Sequence, residues 1–128
     1  MAGSFTDTFE NQVLNVLRAT NITAPATVYV GLFTTATGET GGGTEVTGGS
    51  YARQAVTFGA PSGGAIANSA DVTFPVATAS WGTVTHIGIF DAATAGNMLV
   101  WADLTASKTV ASGDQVKFPA GNLTVSLN

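Results

Sequence analysis

The sequence GTVTHIGIF at residues 82–90 shows the two-residue alternation that is typical of a β-strand. One face would carry Val84, His86, Gly88 and Phe90, and the other would carry Thr83, Thr85, Ile87 and Ile89. Turn residues separate further short runs of this kind. We predict strands at 26–34, 51–58, 65–68, 70–74, 82–90, 98–103, 107–111, 115–118 and 122–127. Such a series predicts a mainly β chain of eight or nine short strands, folded as an antiparallel β-sandwich or barrel-like domain.

The strand at 26–34, ATVYVGLFT, is apolar on both of its faces. This pattern predicts a central strand that is covered on each side. The polar, glycine-laden segment from Thr35 to Ser50 follows it and contains Gly41-Gly42-Gly43 and Gly48-Gly49. Loops of that length are often functional or mobile.

One amphipathic helix is predicted before the β-domain, within residues 1–20. Ser4 and Asp7 have the spacing of a capping box, and Pro25 disfavours helical geometry at the residue before it. The helix would carry one apolar stripe, formed by Phe5, Phe9, Val13, Val16 and Leu17. We therefore divide the single domain into an N-terminal helix (1–20) and a β-sandwich (21–128). The stripe predicts that the helix either caps its own sandwich or docks on a neighbour.

Composition restricts the function further. Only 9% of the 128 residues are charged, against about 25% in ordinary soluble domains, and 45% are hydrophobic. Interface cores are depleted in charge in the same way, so this surface suits a subunit packed among others. The net charge is −4 and the four basic residues are scattered, which argues against nucleic acid as a partner.

Membrane and secretion signals are not expected from the pattern of apolar residues. No run approaches about 18 apolar residues, and the N-terminal MAGSFTDTFENQ has no basic segment leading into an apolar one. The absence of cysteine excludes disulfides, thiolate metal sites and a cysteine nucleophile.

No residue pattern in the chain marks an active site. His86 stands alone in a strand, where a half-buried structural role is the usual one. Asp91 and Asp114 fit turns, although Asp91 and Asn97 could in principle bind calcium. The glycine runs match no phosphate-binding fingerprint. We therefore expect no enzyme, no cofactor and no metal. The aromatic residues Tyr29, Tyr51, Trp81 and Trp101 are expected in the core, with a sugar-binding face as the alternative.

Four stretches together resemble a known family: SFTDTFENQVLNVL at 4–17, APATVYVGLFTT at 24–35, the run from GGSYARQAVTF through MLVWADLT at 48–105, and SGDQVKFPAGNLTVSL at 112–127. They resemble small virion proteins of tailed bacteriophages, which are often labelled tail fibre or head decoration proteins. The resemblance covers nearly the whole chain and is most specific from Tyr51 to Leu99. It implies a structural particle component with no catalytic residues.

A fibre shaft needs a coiled coil or a repetitive sequence, and this chain has neither. We therefore expect a capsid decoration (cement) protein that stabilises the head by bridging capsid subunits. The alternatives are a tail, tail-fibre or baseplate subunit, and a module that binds a host carbohydrate or receptor through Trp81, Trp101 and Tyr51.

The expected location is the virion, assembled in the host cytoplasm. The expected partners are the major capsid protein or other virion proteins and further copies of the chain, a trimer included, with no nucleic acid and no membrane. The candidate interface residues are Phe5, Phe9, Val13, Leu17, Glu39, Glu45 and Tyr51.

Overall fold

A five-stranded antiparallel sheet forms the centre of the protein, in a computed structural model that describes residues 3–127. Within these residues the elements are, in chain order, β1 (Gly3–Phe5), α1 (Asp7–Leu17), β2 (Val28–Phe33), β3 (Gln54–Val56), β4 (Ala65–Ala67), β5 (Val72–Thr73), β6 (Gly82–Phe90), β7 (Met98–Val110), β8 (Lys117–Phe118) and β9 (Thr124–Ser126). The central sheet has the order β1-β7-β6-β2-β3, and the pairs β4-β9 and β5-β8 form two smaller antiparallel sheets. The predicted mainly β, antiparallel fold with one helix is confirmed.

The longest strands lie in the middle of the central sheet. β6 pairs with β7 from Gly82↔Val110 to Phe90↔Met98, with two irregularities in register along the way. β6 has the predicted bounds. The segments predicted as separate strands at 98–103 and 107–111 are instead one strand, because β6 pairs with residues at both ends of it and holds the chain between them extended.

The central sheet buries residues on both of its faces. On one face, Val30 and Leu32 of β2 are fully buried in the main core, beneath side chains from the smaller sheets and their loops such as Phe74 and Leu123. On the other face, Phe33 is 4% exposed and belongs to a smaller apolar cluster. The prediction that the second strand is central and covered on each side is confirmed.

A short strand precedes the helix, which the sequence did not predict. β1 pairs with β7 through Gly3↔Ala102, Ser4↔Trp101 and Phe5↔Val100. Phe5 is therefore a strand residue, and Thr6 caps the helix in place of Ser4. Pairing with a strand about 95 residues away outweighs the local capping signal. Residues 1 and 2 of the predicted helical segment, and Asn128 of the predicted sandwich, lie outside the described residues.

The helix ends well before Pro25. Arg18 is its C-cap, and Ala19 follows with a φ of 57°. The Arg18 N–H bonds the Asn15 carbonyl, and the Ala19 N–H bonds the Val16 carbonyl. This tightened last turn ends α1, and Arg18 lies just past it.

The glycine-rich segment 35–50 is held against the sheet. Residues 44–46 of this segment run beside β2. The Val46 N–H donates to the Leu32 carbonyl at 2.9 Å, and Glu45 forms an isolated antiparallel β-bridge with Phe33. Val46 is buried in the main core. Gly38 and Gly41 close a tight turn through two reciprocal hydrogen bonds. These hydrogen bonds hold the segment in place, so it can in turn position the residues that contact it.

Candidate interaction surface

The N-terminus of α1 is fixed to the sheet by Thr6. This residue is 2% exposed, and its Oγ1 donates to the Met98 carbonyl at 2.6 Å. The same oxygen accepts from the Phe9 N–H at 3.4 Å, which is the usual capping contact. The Asp7 N–H donates to the Glu39 carbonyl at 2.7 Å. The first turn of the helix is therefore pinned between β7 and the segment 35–50.

Beyond this anchor, the helix is only partly covered, with Phe9 and Val13 half-buried. None of its residues, all of which the structure describes, is buried. Its exposed apolar residues include Leu14 at 55%, Val16 at 53% and Leu17 at 84%, and Ile22 beyond the helix is 37% exposed. An amphipathic helix on a globular protein normally buries its apolar stripe. Of the two roles left open by the sequence, docking on a neighbour fits this exposure better than capping.

A groove of about 500 Å³ runs between α1 and β9. Its floor is formed by Val100, Trp101 and Ala102 of β7. The helix contributes one wall and the end of the chain contributes the other, and the lining residues on these walls include Phe5, Glu10, Val13, Leu14, Val125 and Leu127. Leu127 is 57% exposed. The helix and the groove together form one continuous surface with a large apolar part, which we call the α1 surface.

A second cluster lies on the far side of β2 and is centred on Arg53. Its guanidinium makes a bidentate ion pair with Glu45, in which Nε donates to Oε2 and Nη2 donates to Oε1, both at 2.8 Å. Its Nη1 donates to the carbonyls of Ala92 at 3.0 Å and Ala95 at 2.8 Å. The guanidinium carbon lies 3.5 Å from the centroid of the Phe90 ring. Arg53 thereby ties the segment 35–50 to the turn after β6.

Burial and charge shift the protonation of this cluster. Burial opposes ionisation of Glu45, but the hydrogen bonds from Arg53 and Tyr51 and the charge of Arg53 outweigh it and hold the pKa of Glu45 below its ordinary value. Burial, followed by the adjacent Glu45 carboxylate, raises the pKa of Tyr51. The Tyr51 hydroxyl donates to Glu45 at 2.6 Å and accepts from the Leu32 N–H at 3.0 Å. The polar groups of the cluster thus hydrogen-bond to one another, which is typical of a structural role.

Groups that could have carried chemistry occupy structural positions. Asp91 Oδ1 accepts from the Asn97 N–H at 2.8 Å, and Asp114 Oδ2 accepts from the Ala111 N–H at 2.9 Å, as expected of turn residues. His86 is half-buried, with Nδ1 2.8 Å from the hydroxyl of the preceding threonine. Among residues 3–127, no group of three or more His, Asp or Glu side chains is placed to hold a metal ion. None of the helices in that range is long and apolar enough to cross a membrane.

The tryptophans and Tyr51 do not form a flat exposed platform. Trp81 is 4% exposed and donates its Nε1–H to the Gly49 carbonyl at 2.9 Å. Tyr51 packs on the edge of Trp81 and parallel to Phe74, with centroid distances of 5.5 and 6.1 Å. The expected core packing is confirmed for Trp81, while Trp101 is half-buried on the floor of the groove.

The structure separates the seven predicted interface residues into two places. Four of them lie at or beside the α1 surface: Phe5, Phe9, Val13 and Leu17. Glu45 and Tyr51 are instead bound to each other in the Arg53 cluster. The side chain of Glu39 is exposed, and its carbonyl anchors the helix.

Sequence reasoning missed Leu14 and Arg53. Leu14 lies outside the apolar stripe that was read from the spacing, yet it is among the most exposed apolar side chains of the helix. Arg53 carried a usable signal, because it is the one charged residue of the predicted strand 51–58 and would need an acidic partner if that strand is buried. The sequence does not show which acid pairs with Arg53, because the partner, Glu45, lies in the glycine-rich segment and in no strand pattern.

Residues 4–126 match the family model described as Podophage GP4 fiber I protein gp80. No curated protein matches the chain. The match extends from β1 to β9 and so includes α1, the Arg53 cluster and every residue that lines the groove except Leu127. The resemblance to a small virion protein family is thereby confirmed. The chain belongs to the family of podophage GP4 fiber I protein gp80.

Proposed function

We propose that this protein is a non-enzymatic structural subunit of a fibre on a tailed-phage particle, and that its α1 surface packs on a neighbouring virion subunit. The observation that carries the proposal is the helix on which Leu14, Val16 and Leu17 remain more than half exposed. A rigidly anchored apolar surface of this kind is typical of a protein–protein contact site. The low content of charged residues agrees with burial among neighbours.

The shape of the domain limits which part of a fibre it forms. A shaft requires long coiled coils or repeated strands, whereas α1 has 11 residues and the longest strand has 13. The protein is therefore an attachment or end module of the fibre, held by other virion proteins and by copies of itself.

A capsid decoration protein is the second candidate. The same compact domain without a shaft favours it, because a cement protein needs only a rigid body that bridges adjacent capsid subunits. The family match favours the fibre instead. A module that binds host carbohydrate ranks third, since Trp81 is buried.

Particle location distinguishes the two leading candidates. An electron-microscopy reconstruction of particles that carry an affinity-labelled copy of the protein is expected to show the label on the tail. Label confined to the head would replace the fibre with the decoration role. Label on neither would contradict a virion role altogether.

Incorporation into particles tests the α1 surface. The double variant Leu14→Ser/Leu17→Ser is expected to fold normally but to be missing from particles made by complementation, as measured by mass spectrometry of purified virions. Val76→Ser is the matched control, because Val76 is 48% exposed, lies between β5 and β6 and does not line the groove. Equal incorporation of both variants would show that another surface attaches the protein.

A further inference from the structure

One edge of β9 is not covered by another strand. β9 pairs with β4 in a two-stranded sheet, and its other edge faces the groove beside α1. Thr124, Val125 and Ser126 all line this groove, whereas no residue of β4 does. The edge of a strand presents backbone N–H and C=O groups that can pair with a further strand. We call the groove-facing side of residues 124–126 the β9 edge.

The register with β4 determines which backbone groups lie on the β9 edge. In an antiparallel pair, residues that bond each other alternate with residues whose N–H and C=O groups point apart. Thr124 pairs with Ala67, whose carbonyl accepts from the Gly59 N–H at 2.9 Å on the side away from β9. The backbone groups of Thr124 therefore point away from β4, and those of Ser126, two residues further on, do the same. Four polar groups thus face the groove.

These four groups are free to pair. Within residues 3–127, none of them makes a hydrogen bond to another part of the chain. Natural sheets usually protect such an edge with lysine, proline or a bulge. Residues 122–127, NLTVSL, contain no charged residue and no proline, and β9 pairs with β4 in an unbroken register. The β9 edge is therefore open to an incoming strand.

We propose that an extended segment of a different virion protein adds to β9 as a third strand and fills the groove between β9 and α1. The proposal rests on the proposed function, because it names how a neighbouring subunit binds the α1 surface. In this mode of recognition, main-chain hydrogen bonds supply affinity, and the pockets for alternate side chains supply specificity.

The pleat of β9 determines which side chains the segment needs. Val125 is half-buried and faces the central sheet, whereas Thr124 and Ser126 are exposed. A strand beside β9 follows the same pleat, so its alternate side chains lie on the floor of the groove at Val100 and Ala102. This floor is apolar. The segment is therefore expected to alternate apolar and polar residues.

Glu10, on the opposite wall, indicates the charge of the segment. Its side chain is half-buried and lines the groove, and it has no ionic partner among the described residues. A strand in the groove removes water from this carboxylate, which costs free energy unless a cation replaces the water. We therefore expect a lysine or arginine in the segment. Residues 122–127 of a second copy carry no cation, so the β9 of another copy does not fit.

Photocross-linking in intact particles identifies the segment. One preparation carries p-benzoylphenylalanine in place of Ser126, and the matched control carries it in place of Val76, which is also exposed but does not line the groove. Mass spectrometry is expected to join position 126, but not position 76, to a different virion protein, within a segment that has alternating apolar residues and a basic residue. An adduct with another copy, or no adduct at position 126, overturns the proposal.

N-methylation of that segment, prepared as a synthetic peptide, tests the main-chain pairing with the natural chain. Methylation of an amide that bonds the β9 edge removes a donor and is expected to weaken binding at least about tenfold in isothermal titration calorimetry. Methylation of the next amide, which points away from β9, is expected to change binding by less than about threefold. Equal losses along the peptide would show that no strand is added, which overturns the proposal.

Thr124→Pro removes one N–H of the β9 edge and leaves the hydrogen bonds to β4 in place. Proline is tolerated in an edge strand where the N–H faces solvent. Thr124→Ala is the matched control, because it shortens the same side chain but keeps the N–H. Thr124→Pro is expected to enter particles at least about tenfold less than Thr124→Ala, by mass spectrometry of purified virions. Far-UV circular dichroism checks that both variants are folded, and the peptide experiment does not depend on either.

The outcomes separate this proposal from the proposed function. If Thr124→Pro enters particles as well as Thr124→Ala, the added strand is overturned. The α1 surface would still attach the protein if Leu14→Ser/Leu17→Ser is missing from the same particles, because those leucines lie on the helix. If only Thr124→Pro is missing, the added strand is supported and the contact through the exposed leucines is overturned.

Discussion

Replacing Arg53 by methionine removes the centre of the buried polar cluster while keeping an unbranched side chain of similar length. The change leaves Glu45 with its hydrogen bond from Tyr51 but without its cation, and it leaves the carbonyls of Ala92 and Ala95 without their donor. Arg53 is 9% exposed and Glu45 is 23% exposed, so solvent can replace the lost contacts only in part. We expect Arg53→Met to destabilise the fold strongly.

The magnitude follows from what remains buried. Removing one partner of a buried ion pair costs about 3–5 kcal/mol, because the other charge stays uncompensated. The partial exposure of Glu45 and its bond to Tyr51 place this case at the lower end, about 3 kcal/mol. For a chain of this length that loss lowers the melting temperature by about 10 °C. Arg53→Lys keeps the charge but not the bidentate geometry, and we expect it to recover about half of the loss.

Urea denaturation followed by tryptophan fluorescence measures these differences, with Lys108→Met as the control. Lys108 is an exposed residue of β7, and its replacement is expected to change the unfolding free energy by no more than about 0.5 kcal/mol. In a double-mutant cycle, Glu45→Gln should cost much less in the Arg53→Met background than in the natural chain. A loss below about 1 kcal/mol for Arg53→Met, or additive effects in the cycle, would refute the reasoning.

Three further predictions concern the same region. Thr6→Val removes the helix cap and the donor to the Met98 carbonyl, so it is expected to cost about 2 kcal/mol in urea denaturation; an unchanged midpoint would contradict this. Gly31→Ala places a Cβ 2.9 Å from Glu45 Oε2 and is expected to cost about 1–3 kcal/mol, whereas Gly38→Ala, with nothing within 4 Å, should be tolerated. The folded-state pKa of Glu45 lies below its ordinary value of 4.5, so its contribution to stability is present above that value and is lost as the pH falls through the lower folded-state pKa. Stability should therefore fall more steeply as the pH drops below 4.5 in the natural chain than in Glu45→Gln, and equal slopes would refute this.

The strands with strong side-chain patterns could be predicted from the sequence. β6 alternates along its whole length, and β2 is apolar on both faces, so neither needs distant information to be recognised. β1 could not be predicted, because GSF at residues 3–5 has no strand pattern of its own and is extended through its pairing with β7. Tertiary pairing of this kind overrides local propensity.

The candidate surface could be predicted only in part, because tertiary pairing also decides which side of the helix is covered. An apolar stripe on a helix indicates that something packs on it, but the spacing does not show which side faces the chain's own domain. The spacing predicts Phe5 and Phe9 on one helical stripe, whereas in the structure Phe5 belongs to β1 and the Phe9 ring packs on it. Leu14 is thereby left on the outside, where the sequence alone did not place an interface.

The Arg53 cluster and the α1 surface are coupled through the segment 35–50. Glu45 fixes the end of that segment to Arg53, and the Glu39 carbonyl within it holds the first turn of α1 through the Asp7 N–H. A helix that its own domain covers only in part is thus held in place, which lowers the entropy that docking would otherwise cost. The glycine-rich segment therefore serves the interface as the support of the contact surface, and loosening Arg53 should weaken assembly even though Arg53 lies outside the α1 surface.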